Sequence, residues 1–237
     1  MQLLALAVAP GIAICLFIYL KDKRNKEPLI LLLISFFLGM LSTIPAIIIQ
    51  LMSGISLEKI EGKSLSAVAY FAFLVVALSE EASKFIMVRF FAYKRKAFDE
   101  PYDGIIYSVM VGMGFATLEN IGYVYQHGFA TGVLRMFLSV PAHATFAILM
   151  GYHLGLAKFD PVHKGRHFLL ALVLPVLFHG AFDFFLFLGK DSLHFVGALV
   201  SFFIAIRLSR KAIKKHRELS DHYNNAGNIN NGDNSLF

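Results

Sequence analysis

Seven mostly apolar stretches follow one another down the chain, near residues 3–20, 29–51, 65–91, 105–126, 132–157, 167–188 and 192–207. About 20 helical residues cross a hydrocarbon core roughly 30 Å thick. Stretches of that length, joined by short charged loops, predict an all-α fold: a polytopic membrane protein built as a bundle of about seven transmembrane helices. Composition agrees, with 57% hydrophobic and 16% charged residues, where a soluble domain carries about 25% charged. The first stretch lacks a basic leader, its positive charges following at Lys21, Lys23, Arg24 and Lys26, so it reads as a retained helix and not a signal peptide. Cys15 lies inside that stretch and reads as a small hydrophobe. Residues 1–217 form the membrane domain. Residues 218–237, rich in Asn, Asp and Gly, read as a disordered polar cytoplasmic tail.

The net charge of +6 is explained by where the cations lie and calls for no nucleic-acid partner. The 21–27, 89–96, 158–166 and 207–217 stretches together hold 17 Lys and Arg, and the alternating set (Lys59, Lys63, Arg135, Lys190) holds four. Basic loops stay cytoplasmic. Seven helices with the N-terminus outside and the C-terminus in the cytoplasm fit that split without exception, and Lys84, inside the third stretch, completes the set of 22.

Ionisable groups in hydrocarbon cost at least about 2.5–3.5 kcal/mol each on insertion scales, so they face the bundle interior and mark function. The third stretch reads Ser79-Glu80-Glu81-Ala82-Ser83-Lys84. Lys84 is four residues from Glu80 and three from Glu81, so it reaches either carboxylate on one helix face. Two adjacent buried carboxylates do not both ionise easily, and a carboxylate near neutrality suits a general base. The bland alternative is a structural Glu–Lys pair, which needs one Glu and not two. The fourth stretch carries glycines for close helix approach at Gly112 and Gly114, then Glu119-Asn120 about two turns from its outer end, where an interfacial polar pair is the competing reading. The fifth has His143 beside Pro141, which is expected to kink that helix. The sixth has His179 with Asp183 four residues on, placed to fix the tautomer of His179 or stabilise its charged form, and Pro175 one turn before. A single buried His is often an ordinary core residue, but two beside prolines, with three carboxylates, are not.

Other candidates carry less. His153 reads as structural and Asp103 as the N-cap of the fourth helix. Gly151 and Gly155 form a small-residue packing pair. Gly-x-Ser-x-Gly, His-Glu-x-x-His and phosphate-loop motifs are all missing from the sequence.

Taken in order, Ala9-Pro10-Gly11, Glu80-Glu81-x-x-Lys84, Tyr102-Asp103-Gly104-Ile105, the Gly114-to-Asn120 run, His143 and His179-Gly180-x-x-Asp183 resemble the PrsW family of bacterial membrane proteases, relatives of the type II CAAX prenyl endopeptidases. Lys84, Glu119 and Asp183 stand where those CAAX relatives have Arg (one position later), His and Asn, which points away from a prenylated substrate. The resemblance implies an intramembrane endopeptidase of the plasma membrane. It also implies first-step cleavage of a single-span anti-sigma factor, which switches on a sigma-factor stress response.

On this reading Glu80 or Glu81 activates water and Lys84 tunes the pair. His143 and His179 stabilise the oxyanion or protonate the leaving amine, Asp183 orients His179, and Glu119 with Asn120 completes the polar shell. Zinc would draw its ligands from Glu81, Glu119, His143 and His179. A metal-free glutamate mechanism is preferred over zinc, because the Lys84 cation competes for the same carboxylates. A proton- or ion-coupled transporter is the main rival, since buried Glu and His also build relays, but the halves show no repeat of the kind many transporters carry. A non-catalytic scaffold would not need so many titratable groups. The charge split predicts that a reporter fused after residue 217 is cytoplasmic while the N-terminus is labelled from outside; both termini on one side would contradict seven passes.

Overall fold

The computed structural model describes residues 2–22, 25–60, 62–189 and 192–232, with side chains as far as 221. Lys23, Arg24 and Lys190 of the charge count lie outside the described residues. Helix α1 spans Gln2–Lys21. Next come α2 (Leu29–Leu41) and α3 (Thr43–Met52), then the short α4 (Leu57–Ile60). The next run is α5 (Leu65–Ala69), a π-helical stretch (Tyr70–Ala77) and α6 (Leu78–Phe90). The chain ends with α7 (Asp103–Phe137), α8 (Ser139–Phe159), α9 (Lys164–Phe187) and α10 (Ser192–Gly232).

Six apolar helical runs among the described residues are long enough to cross a membrane. One of them, Asp103–Phe159, has 57 residues, about 85 Å at 1.5 Å per residue, far more than one crossing. It doubles back. Gly128 holds φ 80°, ψ −166°, a conformation that only glycine adopts without strain. Gly104 of α7 then lies against Gly151 and Gly155 of α8, and Glu119 against His143. The bundle therefore makes seven passes.

The first arm of α7 is the central helix, with residues 103–117 buried without interruption. It can be surrounded because its neighbours meet it backbone to backbone. A Cβ on Gly114 would run into the Phe36 carbonyl of α2, and one on Gly39 of α2 into the Val111 carbonyl of α7. The Gly151/Gly155 pair serves the α7–α8 crossing as its spacing suggested. Small residues let helices approach this closely where lipid supplies no hydrophobic drive between them. The outward faces carry Leu16, Phe17, Leu33, Phe37, Ile48 and Phe203, each about half exposed, which is the surface a lipid-facing helix presents. Cys15 packs in the core.

Local differences from the sequence reading have identifiable causes. The second pass is two helices: Pro45 has no N–H for the preceding turn, and the Ser42 and Thr43 hydroxyls donate back to the Gly39 and Met40 carbonyls at 2.6 and 2.7 Å. Pro141 does not kink a continuous helix. The break lies at Leu138 (φ −116°, ψ −69°), and Pro141 sits in the first turn of α8, where a missing donor does no harm. Residues 129–137 are not part of the fifth pass; they fold over the Glu119 end of the first arm of α7, with Gly132 against Leu6 and Val124. Asp103 is the first residue of α7 and not its N-cap, its carboxylate accepting from the amides of Asp99 and Glu100. Helix α10 continues through residues 218–232 of the expected tail. At the start of that stretch buried Ser220 accepts from the Tyr102 amide, and just before it buried His216 packs against Tyr152. Residues 233–237 lie outside the described residues.

Gly114→Val should lower resistance to thermal unfolding, since an overpacked site of this kind costs about 1–3 kcal/mol. Gly122→Ala, where an added Cβ meets nothing within 4 Å, should leave unfolding unchanged or slightly delayed in the same melt.

Candidate active site

Helix α6 turns Glu80, Glu81 and Lys84 inward, and all three are buried. The preceding π-helical stretch packs Phe73 against Gly180 of α9, the residue next to His179, which locks the approach of these two helices at the level of the site. π-Helical turns often lie at functional sites.

Lys84 lies where three helices meet. Its ammonium donates to Glu81 Oε1 at 2.7 Å and lies 3.7 Å from Glu80 Oε2. It is 3.2 Å from His143 Nδ1 on α8 and 4.1 Å from the centroid of the Phe115 ring on α7. An ammonium has no acceptor, so His143 Nδ1 accepts from it. His143 Nε2 then carries the proton that meets Glu119 Oε2 on α7 at 3.0 Å. On α9, His179 Nδ1 is 2.8 Å from Glu81 Oε1, and Nε2 is 3.2 Å from Asp183 Oδ2 and 3.9 Å from Glu80 Oε2. Each ring nitrogen of His179 thus faces a carboxylate. The two imidazoles meet edge to face at 5.1 Å, and Phe146 stacks on His179 at 5.0 Å.

All six ionisable residues singled out on the third to sixth passes, together with Lys84, therefore converge. Asn120 does not touch the histidines. It is fully buried, donates to the Ala7 carbonyl at 2.9 Å, and accepts from Arg135 Nε at 3.0 Å. Sequence reasoning counted Arg135 only as a loop charge, yet its guanidinium lies 2.7 Å from Glu119 Oε2 and stacks over Tyr123 at 4.0 Å. Only the reversal at Gly128 brings it there, and no local spacing signals that. Gln50 of α3 was missed too; it donates to Glu80 Oε1 at 3.3 Å. A lone amide in the second apolar stretch was the available signal. His153, read as structural, lies at the other end of α8 with Nδ1 3.2 Å from that of His167.

Two features bear on chemistry. Glu80 Oε2 and Glu81 Oε2 are buried without a hydrogen-bond partner, although Glu81 Oε1 holds both Lys84 and His179. In addition, one ligand atom from each of Glu80, His143 and His179 lies within 4.8 Å of the others. One carboxylate and two imidazoles form a donor set that suits zinc, so the residues present fit a metal ion. Glu80 takes the carboxylate place in this grouping, where the sequence offered Glu81 or Glu119. The cluster is buried except at Glu119 and Asp183, whose side chains are 21% and 13% exposed.

Residues 27–208 match a family described as "PrsW family intramembrane metalloprotease". Over 191 residues the chain is 44% identical to Protease PrsW of Geobacillus kaustophilus (strain HTA426), covering 80% of this chain and 81% of the relative. It is 35% identical over 213 residues to Protease PrsW of Bacillus subtilis (strain 168), covering 89% and 95%. The match to Protease PrsW of Clostridioides difficile (strain 630) is 36% over 192 residues, covering 78% and 79%. No solved structure matches the chain.

Proposed function

The chain belongs to the PrsW family of intramembrane proteases, and from that premise we propose that its peptide-bond hydrolysis is carried out by the Glu80–Glu81–Lys84–Glu119–His143–His179 cluster on a single-span membrane protein. The observation that carries the reading is the convergence of three carboxylates, two imidazoles and one ammonium from four helices inside an otherwise apolar bundle.

In this reading Glu81 is the base. Its Oε1 is anchored by Lys84 and His179, which leaves Oε2 free to take a proton from water as the water oxygen bonds to the scissile carbonyl carbon. Glu119 and Asp183 hold His143 and His179 in position. The proton then passes from Glu81 to the amide nitrogen as the C–N bond breaks. Glu80, His143 and His179 would hold a divalent metal. Such an ion would act as a Lewis acid on the scissile carbonyl. The sequence alone leaned to a metal-free route; the grouping of Glu80 with both imidazoles now favours the metal-holding one.

Glu119, the most exposed member of the cluster, lies on the part of α7 away from the basic loops. With the N-terminus outside, as the charge split predicts, substrate enters from the extracytoplasmic half of the bilayer. An anti-sigma factor with one transmembrane span, cleaved first to start a stress response, is the substrate class that the resemblance to the PrsW family implies.

Purified protein reconstituted with a single-span substrate should cleave it within or next to its span. Glu81→Gln and His179→Asn should each slow cleavage at least about 100-fold, the usual scale for an acid–base group. Asp183→Asn, which only orients a neighbour, should cost less. Helicity by circular dichroism should be unchanged in all three. Near wild-type cleavage by Glu81→Gln, or proton flux without cleavage in the same vesicles, would overturn the assignment.

A further inference from the structure

At the end of α7 remote from the proposed active site, the α1–α2 turn, the turn before α7 and the first residues of α7 bring three carboxylates together. One oxygen each from Glu27, Asp99 and Asp103 lies within 4.8 Å of the others. Glu27 and Asp103 are 3% and 0% exposed, while Asp99 is exposed and forms the open side. The side chains are already oriented. The Tyr107 hydroxyl donates to Glu27, Asn25 Nδ2 donates to Asp99 Oδ1 at 2.8 Å, and Asp103 Oδ2 accepts from the amides of Asp99 and Glu100 at 2.9 and 2.8 Å. The other oxygen of Asp103 is buried and has no hydrogen-bond partner.

Among the described residues these groups have little cationic compensation. The amino end of α7 favours a single carboxylate, which accounts for Asp103 but not for all three. Lys158 is a nearby cation among the described residues, but its ammonium is committed to the carbonyls of Tyr93 and Arg95 at 2.9 and 3.1 Å. It forms no ion pair with the three among the described residues. Burying carboxylates against one another without a counter-ion is costly. Three preset carboxylate oxygens and no imidazole or thiolate suit a hard cation.

We propose that Glu27, Asp99 and Asp103 bind a divalent cation of the Mg2+ or Ca2+ class, which ties the α1–α2 turn to the start of α7. The open side at Asp99 leaves room for water to complete the coordination. The site is independent of the proposed catalytic cluster, with which it shares no residue. Its role is to fix the inner end of the helix whose outer end presents Glu119.

Terbium is a direct probe. The chain has no Trp, so tyrosine is the antenna, and Tyr107 touches Glu27. Tb3+ added to the full-length protein in detergent should give tyrosine-sensitised emission. Competition with MgCl2 and CaCl2 then ranks the two ions, and the preferred one should raise Tm. Asp99→Asn, an exposed change whose amide oxygen still accepts from Asn25, should weaken Tb3+ binding at least about tenfold and abolish the Tm rise. Glu80→Gln should leave the emission in place. Wild-type protein without emission or a Tm rise in millimolar Mg2+ or Ca2+, as when the carboxyls merely share a proton, would overturn the proposal. So would wild-type Tb3+ affinity in Asp99→Asn, or emission lost in Glu80→Gln.

Discussion

Lys84 carries its ammonium into the middle of an apolar bundle, 3% exposed, where a charge persists only with partners on several sides. Those partners come from separate helices: Glu81 and Glu80 on its own helix, His143 on α8 and the Phe115 ring on α7. Removing one partner of a buried pair typically costs about 3–5 kcal/mol, because the other charge is left stranded. Exposed pairs such as Lys214–Glu218, 3.9 Å apart on α10, have no comparable leverage. The polar cluster therefore fixes the rotation of α6, α7 and α8 about their axes. Through His179 on Glu81, it fixes α9 as well.

Packing supplies the complementary constraint. Glycine contacts bring α2 and α8 against the backbone of α7, so residues 103–117 are sealed from lipid. With its lower part held, α7 presents Glu119 at a set depth. The Gly128 reversal then returns Arg135 to clasp Glu119 and Asn120 from above. The result is a cluster buried in an apolar bundle, where electrostatic interactions are strong, with Glu119 its most exposed member at 21%.

What could be read from the sequence followed from local spacing. Glu80, Glu81 and Lys84 at i,i+4 and i,i+3, and His179 with Asp183 at i,i+4, are contacts within one helix, and the structure has both. Apolar length gave the seven passes. Contacts that depend on chain reversal were not legible: Arg135 reaches Glu119 across 16 residues and a positive-φ glycine, and Gln50 reaches Glu80 from another helix. Pro141 misled because a proline looks alike in mid-helix and in a first turn, and only the break at Leu138 distinguishes them. Which of Glu80 and Glu81 groups with the histidines was beyond adjacent residues to reveal; it depends on Glu81 being held by Lys84 and His179.

The central claim is that Glu81 and His179 act as one hydrolytic unit through their 2.8 Å contact. Single-turnover cleavage by Glu81→Ala, His179→Ala and the double variant measures it most directly. Groups that act as a unit are strongly non-additive, so the double variant should be about as slow as the slower single one. Losses that multiply in the double variant would contradict the account, because they would mean two independent contributions and not one shared centre.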